Sequence, residues 1–202
     1  MIGIVDYGVG NLGSIKNMLR RLGIESLISS NSGDLKNSQK LILPGVGNFD
    51  YGMTSLRNSG LYEDLTSQVL KEKKPILGIC LGAQLMANHS AEGNKEGLGW
   101  LDASVVKFNF KDRSLKIPHM GWNYVDFKKD SRLISIDGDK RRYYFVHSYH
   151  FNTSDKEIIL GEANYGYNFP VILAKDNIYA VQFHPEKSHK FGMELLKGFA
   201  SL

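Results

Sequence analysis

Short apolar runs alternate with helix-periodic stretches through the first half of the chain, and this alternation constrains the fold more than any other feature. Met1 to Asp6 is continuously apolar, as a strand buried on both faces should be. Gly8-Val9-Gly10-Asn11-Leu12-Gly13 reads as a turn, with Ser14 as the cap of a helix. In that helix Leu12, Ile15, Leu19 and Leu22 recur at helical spacing, and Gly23 closes it. Leu27-Ile28 is a second strand, and Lys40 to Leu43 a third, stopped by Pro44-Gly45-Val46-Gly47. Leu61, Leu65 and Val69 mark a further helix. Pro75 to Ile79 is a fourth strand that runs into Cys80 and then a predicted helix from Leu81 to His89.

The second half reads differently. Ala103–Phe108, Tyr143–Phe151, Ile158–Ala163, Val171–Leu173 and Ile178–Phe183 are predicted strands, with Asp176-Asn177 as a hairpin turn between the last two. A closing helix carries Phe191, Leu195 and Phe199 on one face. Repeated βα units followed by antiparallel strands predict an α/β fold. Its sheet is mostly parallel and doubly wound, with helices on both faces and an antiparallel extension, in one domain spanning residues 1–202.

Composition narrows the function classes. At 42% hydrophobic residues the chain can bury a core without disulfides or metals. No apolar stretch is long enough to span a bilayer, and the opening residues read as a buried strand and not as a leader. The single cysteine excludes an internal disulfide and fits a reducing cytoplasm. The net charge is +4, but basic and acidic residues are interleaved, which gives no nucleic-acid footprint. Lys140-Arg141-Arg142 is the one dense basic cluster and is expected to be a solvated face.

Three segments carry chemistry. In Gly78-Ile79-Cys80-Leu81-Gly82, small residues flank a nucleophile between a buried strand and a helix. This is the logic of the nucleophile elbow, with sulfur in place of oxygen. The turn projects the side chain, the helix N-terminus favours the thiolate, and the Leu81 N–H is placed to stabilise an oxyanion. A lone cysteine could equally be an inert core residue. Gln182-Phe183-His184-Pro185-Glu186-Lys187-Ser188 follows a strand, so it belongs at the carboxyl edge where open α/β sheets place their sites. In extended backbone His184 and Glu186 project to one side, a base with an acid beside it. Leu43-Pro44-Gly45-Val46-Gly47 ends another strand in a glycine-containing loop. It is either an ordinary turn or the second half of an oxyanion hole; no Gly-Lys-Ser/Thr follows to make it a phosphate cradle.

In this order, these segments resemble the class I, triad-type glutamine amidotransferases. Within that family the resemblance to the glutaminase subunits of imidazole glycerol phosphate synthase runs from end to end. It includes Ile4-Val5-Asp6-Tyr7-Gly8-Val9-Gly10-Asn11, Pro118-His119-Met120-Gly121-Trp122-Asn123 and Phe145-Val146-His147-Ser148-Tyr149. The resemblance implies a glutaminase with Cys80 as nucleophile, His184 as acid–base and Glu186 orienting it. It implies oxyanion donors at Leu81 and Gly47, and glutamine contacts from Gly45, Gln84, Ser148 and Tyr149. No metal or cofactor is expected. Asn11, Met120, Trp122, Tyr144 and Lys187 match positions facing the partner and the ammonia passage. That partner would be a (β/α)₈-barrel cyclase making imidazole glycerol phosphate and aminoimidazole carboxamide ribonucleotide. Rival readings are the same glutaminase feeding a sugar amidotransferase, a non-catalytic binding subunit, and a stress-type hydrolase or chaperone with a similar cysteine turn.

Overall fold

The computed structural model describes residues 1–134 and 140–202. In chain order it forms β1 (Ile2–Val5), α1 (Leu12–Arg21), β2 (Ser26–Ser29), α2 (Ser32–Asn37), β3 (Lys40–Leu43), α3 (Phe49–Asn58) and α4 (Tyr62–Thr66). The last of these continues as a π turn over Ser67–Lys71. β4 (Ile76–Ile79), α5 (Leu81–Gln84), β5 (His89–Ser90), β6 (Ser104–Lys107), β7 (His119–Phe127) and β8 (Arg141–His147) follow. β9 (Tyr149–Asn152), β10 (Ile159–Tyr165), β11 (Tyr167–Lys175), β12 (Ile178–Val181) and α6 (His189–Ala200) complete the chain.

The main sheet runs β2-β1-β3-β4-β12-β11-β10-β7-β8. The pairs from β2 to β12 are parallel and those from β12 to β8 antiparallel. A small sheet, β5-β6-β9, lies beside it. Alternation along the parallel strands separates two cores. Ile4, Ile42, Leu77 and Val181 pack with Ile15 and Leu19 of α1 and Leu195, Leu196 and Phe199 of α6. Val5, Leu41, Leu43 and Ile76 pack on the opposite face with Leu35 of α2, Phe49, Met53 and Leu56 of α3, and Leu65 and Val69. Helices therefore cover both faces, as the βα alternation implies. No helix among the described residues is long and apolar enough to cross a membrane.

Several local expectations are corrected. Ser14 lies inside α1 and not at its cap; Gly10, at φ +123°, turns the chain early enough for the helix to start at Leu12, after Asn11. The helix expected from Leu81 to His89 stops at Gln84. Carbonyls that would continue it are taken from outside: Leu85 O by Leu98 N at 2.7 Å, Met86 O by Trp100 N at 2.9 Å and Ala87 O by Gly99 N at 3.1 Å. The segment Tyr143–Phe151 is two strands, β8 and β9, bent at Ser148. Helix α3 and strand β7 were not foreseen. The basic cluster is not uniformly solvated: Arg141 is buried, its Nε bonded to Glu194 Oε2 of α6 at 2.8 Å, while Lys140 and Arg142 are exposed.

Candidate active site

The nucleophile segment and the His-Pro-Glu segment leave adjacent strands. β4 and β12 pair in parallel with Ile79 opposite Val181, so Cys80 and His184 emerge together at the carboxyl edge. The Cys80 N–H bonds Val181 O at 2.8 Å, tying the elbow to that strand. Cys80 itself has φ +53° and ψ −115°, a conformation that L residues adopt only at some cost. Tight packing holds it there. A Cβ on Gly82 would collide with Leu43 O, and one on Gly45 would sit 2.5 Å from Gly82 N and 2.8 Å from Tyr7 Oη. The elbow and the Pro44–Gly47 loop are thus pressed backbone to backbone, and Tyr7 Oη donates to Pro44 O at 2.7 Å beneath them. Burial, with a smaller contribution from Cys80, raises the Tyr7 pKa and keeps that phenol protonated.

His184 is held from three directions. Its N–H donates to Tyr144 O at 2.9 Å, and its carbonyl accepts from Ser188 Oγ at 2.6 Å. Its Nδ1 meets Glu186 Oε1 at 2.8 Å, both side chains being buried. The acid reaches the ring through a 3₁₀ turn over Pro185–Lys187, not through the extended backbone that the sequence suggested; Pro185 occupies its first position. Desolvation pulls the imidazole pKa down. Cys80 and Glu186, by hydrogen bonding and charge, outweigh that and raise it to about 10. These two groups therefore favour the imidazolium form of the ring.

Cys80, His184, Leu81, Gly47, Gln84, Ser148 and Tyr149 line one cavity of about 380 Å³, together with Val46, Glu92, Pro118, Val146 and His147. Leu81 opens α5, where its N–H has no intrahelical acceptor. Gly47 has φ +101° in the facing loop. Gly45, in the same loop, is buried and is not among the lining residues. The Gln84 carboxamide is already engaged, donating to Tyr149 O at 3.1 Å and Gln182 Oε1 at 2.9 Å. Glu186 stands behind His184, outside the cavity lining.

The residues expected to face a partner divide into a patch and an outlier. Trp122 stacks on His189 at 5.5 Å, meets Tyr144 edge-on at 6.2 Å and lies under Arg142 at 5.3 Å. Lys187 Nζ sits 5.6 Å from the Tyr144 ring centre. Met120, two residues along β7, is 61% exposed on the same strand face. Asn11 is exposed at the start of α1, which packs against the Pro185–Lys187 turn. Sequence reasoning passed over Tyr7, His119, His147, Gln182 and Glu92 as site residues. Tyr7, His119, His147 and Gln182 fall within the motifs quoted above, which was the available signal; nothing in the sequence marked Glu92.

The family model for class-I glutamine amidotransferase matches residues 3–201. The imidazole glycerol phosphate synthase subunit HisH 2 of Pseudomonas aeruginosa is 48% identical, covering 100% of both chains. Its namesake from Methanococcus maripaludis is 50% identical over 98% of each. Among solved structures, PurLQS from Thermotoga maritima superposes with a TM-score of 0.75 at 17% identity, over 99% of this chain and 97% of that one. The glutaminase domain of Trypanosoma brucei CTPS, with bound acivicin, gives 0.67 at 16% identity, over 99% and 93%. At those identities the structural likeness is one of fold.

Proposed function

The chain belongs to the class-I glutamine amidotransferase family, and from that premise we propose that it is the glutaminase subunit of an imidazole glycerol phosphate synthase, acting in histidine biosynthesis. It hydrolyses glutamine to glutamate and ammonia in the cytoplasm and delivers the ammonia to a (β/α)₈-barrel cyclase. The observation that carries the reading is the emergence of Cys80 and His184 from neighbouring strands into one cavity, with Glu186 bonded behind the ring. Full-length likeness to HisH subunits supports the choice of acceptor over a sugar amidotransferase.

The chemistry follows from the arrangement. The Cys80 thiolate attacks the side-chain carbonyl carbon of glutamine, and the carbonyl π electrons move onto its oxygen. N–H groups of Leu81 and Gly47 receive that oxyanion, each such donor being typically worth about 10²–10³ in rate. The His184 imidazolium gives its Nε2 proton to the leaving nitrogen, and ammonia departs as the thioester forms. The neutral ring then takes a proton from water, hydroxide attacks the thioester, and glutamate and the thiolate are released. Glu186 fixes the ring and compensates its charge throughout. Gln84, Ser148 and Tyr149 line the side of the cavity where the amino-acid end of glutamine would lie. Met120, Trp122, Tyr144, Lys187 and Asn11 dock the cyclase.

The test uses the complex with its cyclase. Cys80→Ala abolishes glutamine-dependent synthesis and leaves ammonia-dependent synthesis intact. Loss of both in a folded complex, or persistence of glutamine turnover, sinks the assignment.

A further inference from the structure

The sulfur of Cys80 has a second neighbour that the mechanism above does not use. Gln182 is fully buried, and its Nε2 lies 3.9 Å from Cys80 Sγ, within hydrogen-bonding reach of sulfur. The two ends of a carboxamide are alike in shape, so its direction comes from its partners. Here those partners leave one choice. The Tyr149 carbonyl oxygen can only accept, so Gln84 turns its Nε2 to it, at 3.1 Å. The same Nε2 faces Gln182 at 2.9 Å, which must therefore present oxygen to Gln84 and its own N–H to the sulfur.

The carbonyl that sets this order is itself anchored. His147 Nδ1 lies 2.8 Å from Tyr149 O and so carries the ring proton, leaving Nε2 to accept. His119 Nδ1, at 2.9 Å, supplies that proton, and His119 Nε2 accepts from Asn123 Nδ2 at 3.2 Å. Burial lowers the imidazole pKa of His119 to about 4 and that of His147 to about 3, so both rings are neutral and each has one donor and one acceptor, as the chain requires. Aromatic rings enclose the pair, with Phe145 4.9 Å and Tyr165 4.3 Å from His119 by ring centres.

We propose that Gln182 is a hydrogen-bond donor to the Cys80 thiolate, locked in that direction by Gln84 and by the Tyr149 carbonyl that His147 and His119 anchor. It rests on the reading of Cys80 as nucleophile and adds a neutral donor to the charged one at His184. An N–H aimed at the sulfur favours the thiolate in every step where it is free, and does not itself titrate.

Cys80 is the only cysteine, so alkylation of the full chain by iodoacetamide reports this sulfur alone. Gln182→Met keeps the length and removes the donor; Gln182→Glu replaces the donor with an acceptor. In each folded variant the midpoint of the alkylation-rate profile moves to higher pH by about one unit, and the rate at any pH well below the wild-type midpoint falls about tenfold. The rate at the alkaline plateau stays at the wild-type value, which a merely loosened fold would not preserve. A wild-type midpoint in either folded variant overturns the proposal. That outcome is separate from failure of the glutaminase reading, which Cys80→Ala tests by turnover in the complex.

Discussion

Cys80 shows how much of one residue's role is written locally and how much is not. Its flanking glycines and its place between a strand and a turn were legible, because the crowding they relieve is a property of the adjacent backbone. The backbone donor from the Cys80 N–H to Val181 and the carboxamide at the sulfur were not, because both depend on which distant strand lies alongside. His119 and His147 make the same point. Nothing in their immediate sequence says that they are buried, neutral and bonded to each other. Their depressed pKa values set the sign of an acid effect. Unfolded histidine binds its proton near pH 6.5, while these rings stay neutral in the fold down to about pH 4 and 3. Between those limits the unfolded chain holds more protons, so stability is fully present above pH 6.5 and is lost as pH falls. The effect is on the order of 3 kcal/mol for His119. Urea midpoints measured from pH 7 to 4 should fall, and His147→Asn, which has no proton to take up, should flatten part of that fall.

Among the elements, the parallel strands and α1 and α6 could be read because their apolar residues follow the expected periods. Strand β7 inverts the rule. It turns Met120, Trp122 and Tyr124 outward and His119 inward, so a search for an apolar inner face misses it. Strands that expose their large apolar residues are meant to be covered, in keeping with the proposed docking surface. The short α5 failed for another reason: loop N–H groups claim the carbonyls that would have extended it. The elbow and the Pro44–Gly47 loop behave as one element, since neither has space for a methyl group against the other. Gly82→Ala should destabilise the chain by about 3 kcal/mol or more, read from denaturant unfolding, because the atom it meets is the Leu43 backbone oxygen and no side chain can yield.

At the scale of the molecule, the site stands where the sheet changes direction. Strands β2 to β12 run parallel, and β12 begins the antiparallel extension whose outer strands carry the exposed Trp122 patch. Trp122→Ala should weaken binding of the cyclase by about 2 kcal/mol, measured by titration calorimetry, and leave the melting temperature of the isolated chain nearly unchanged, since the ring is 41% exposed. The position of β12 has a bearing on biosynthesis. Among the described strands it is made last, yet it sits in the middle of the sheet, between β4 and β11. Until it arrives, the nascent polypeptide holds an open seam with two unpaired edges, and the cysteine stands without its base. A chain cut short before β12 therefore lacks the base that glutamine hydrolysis needs and presents unpaired edges prone to aggregation.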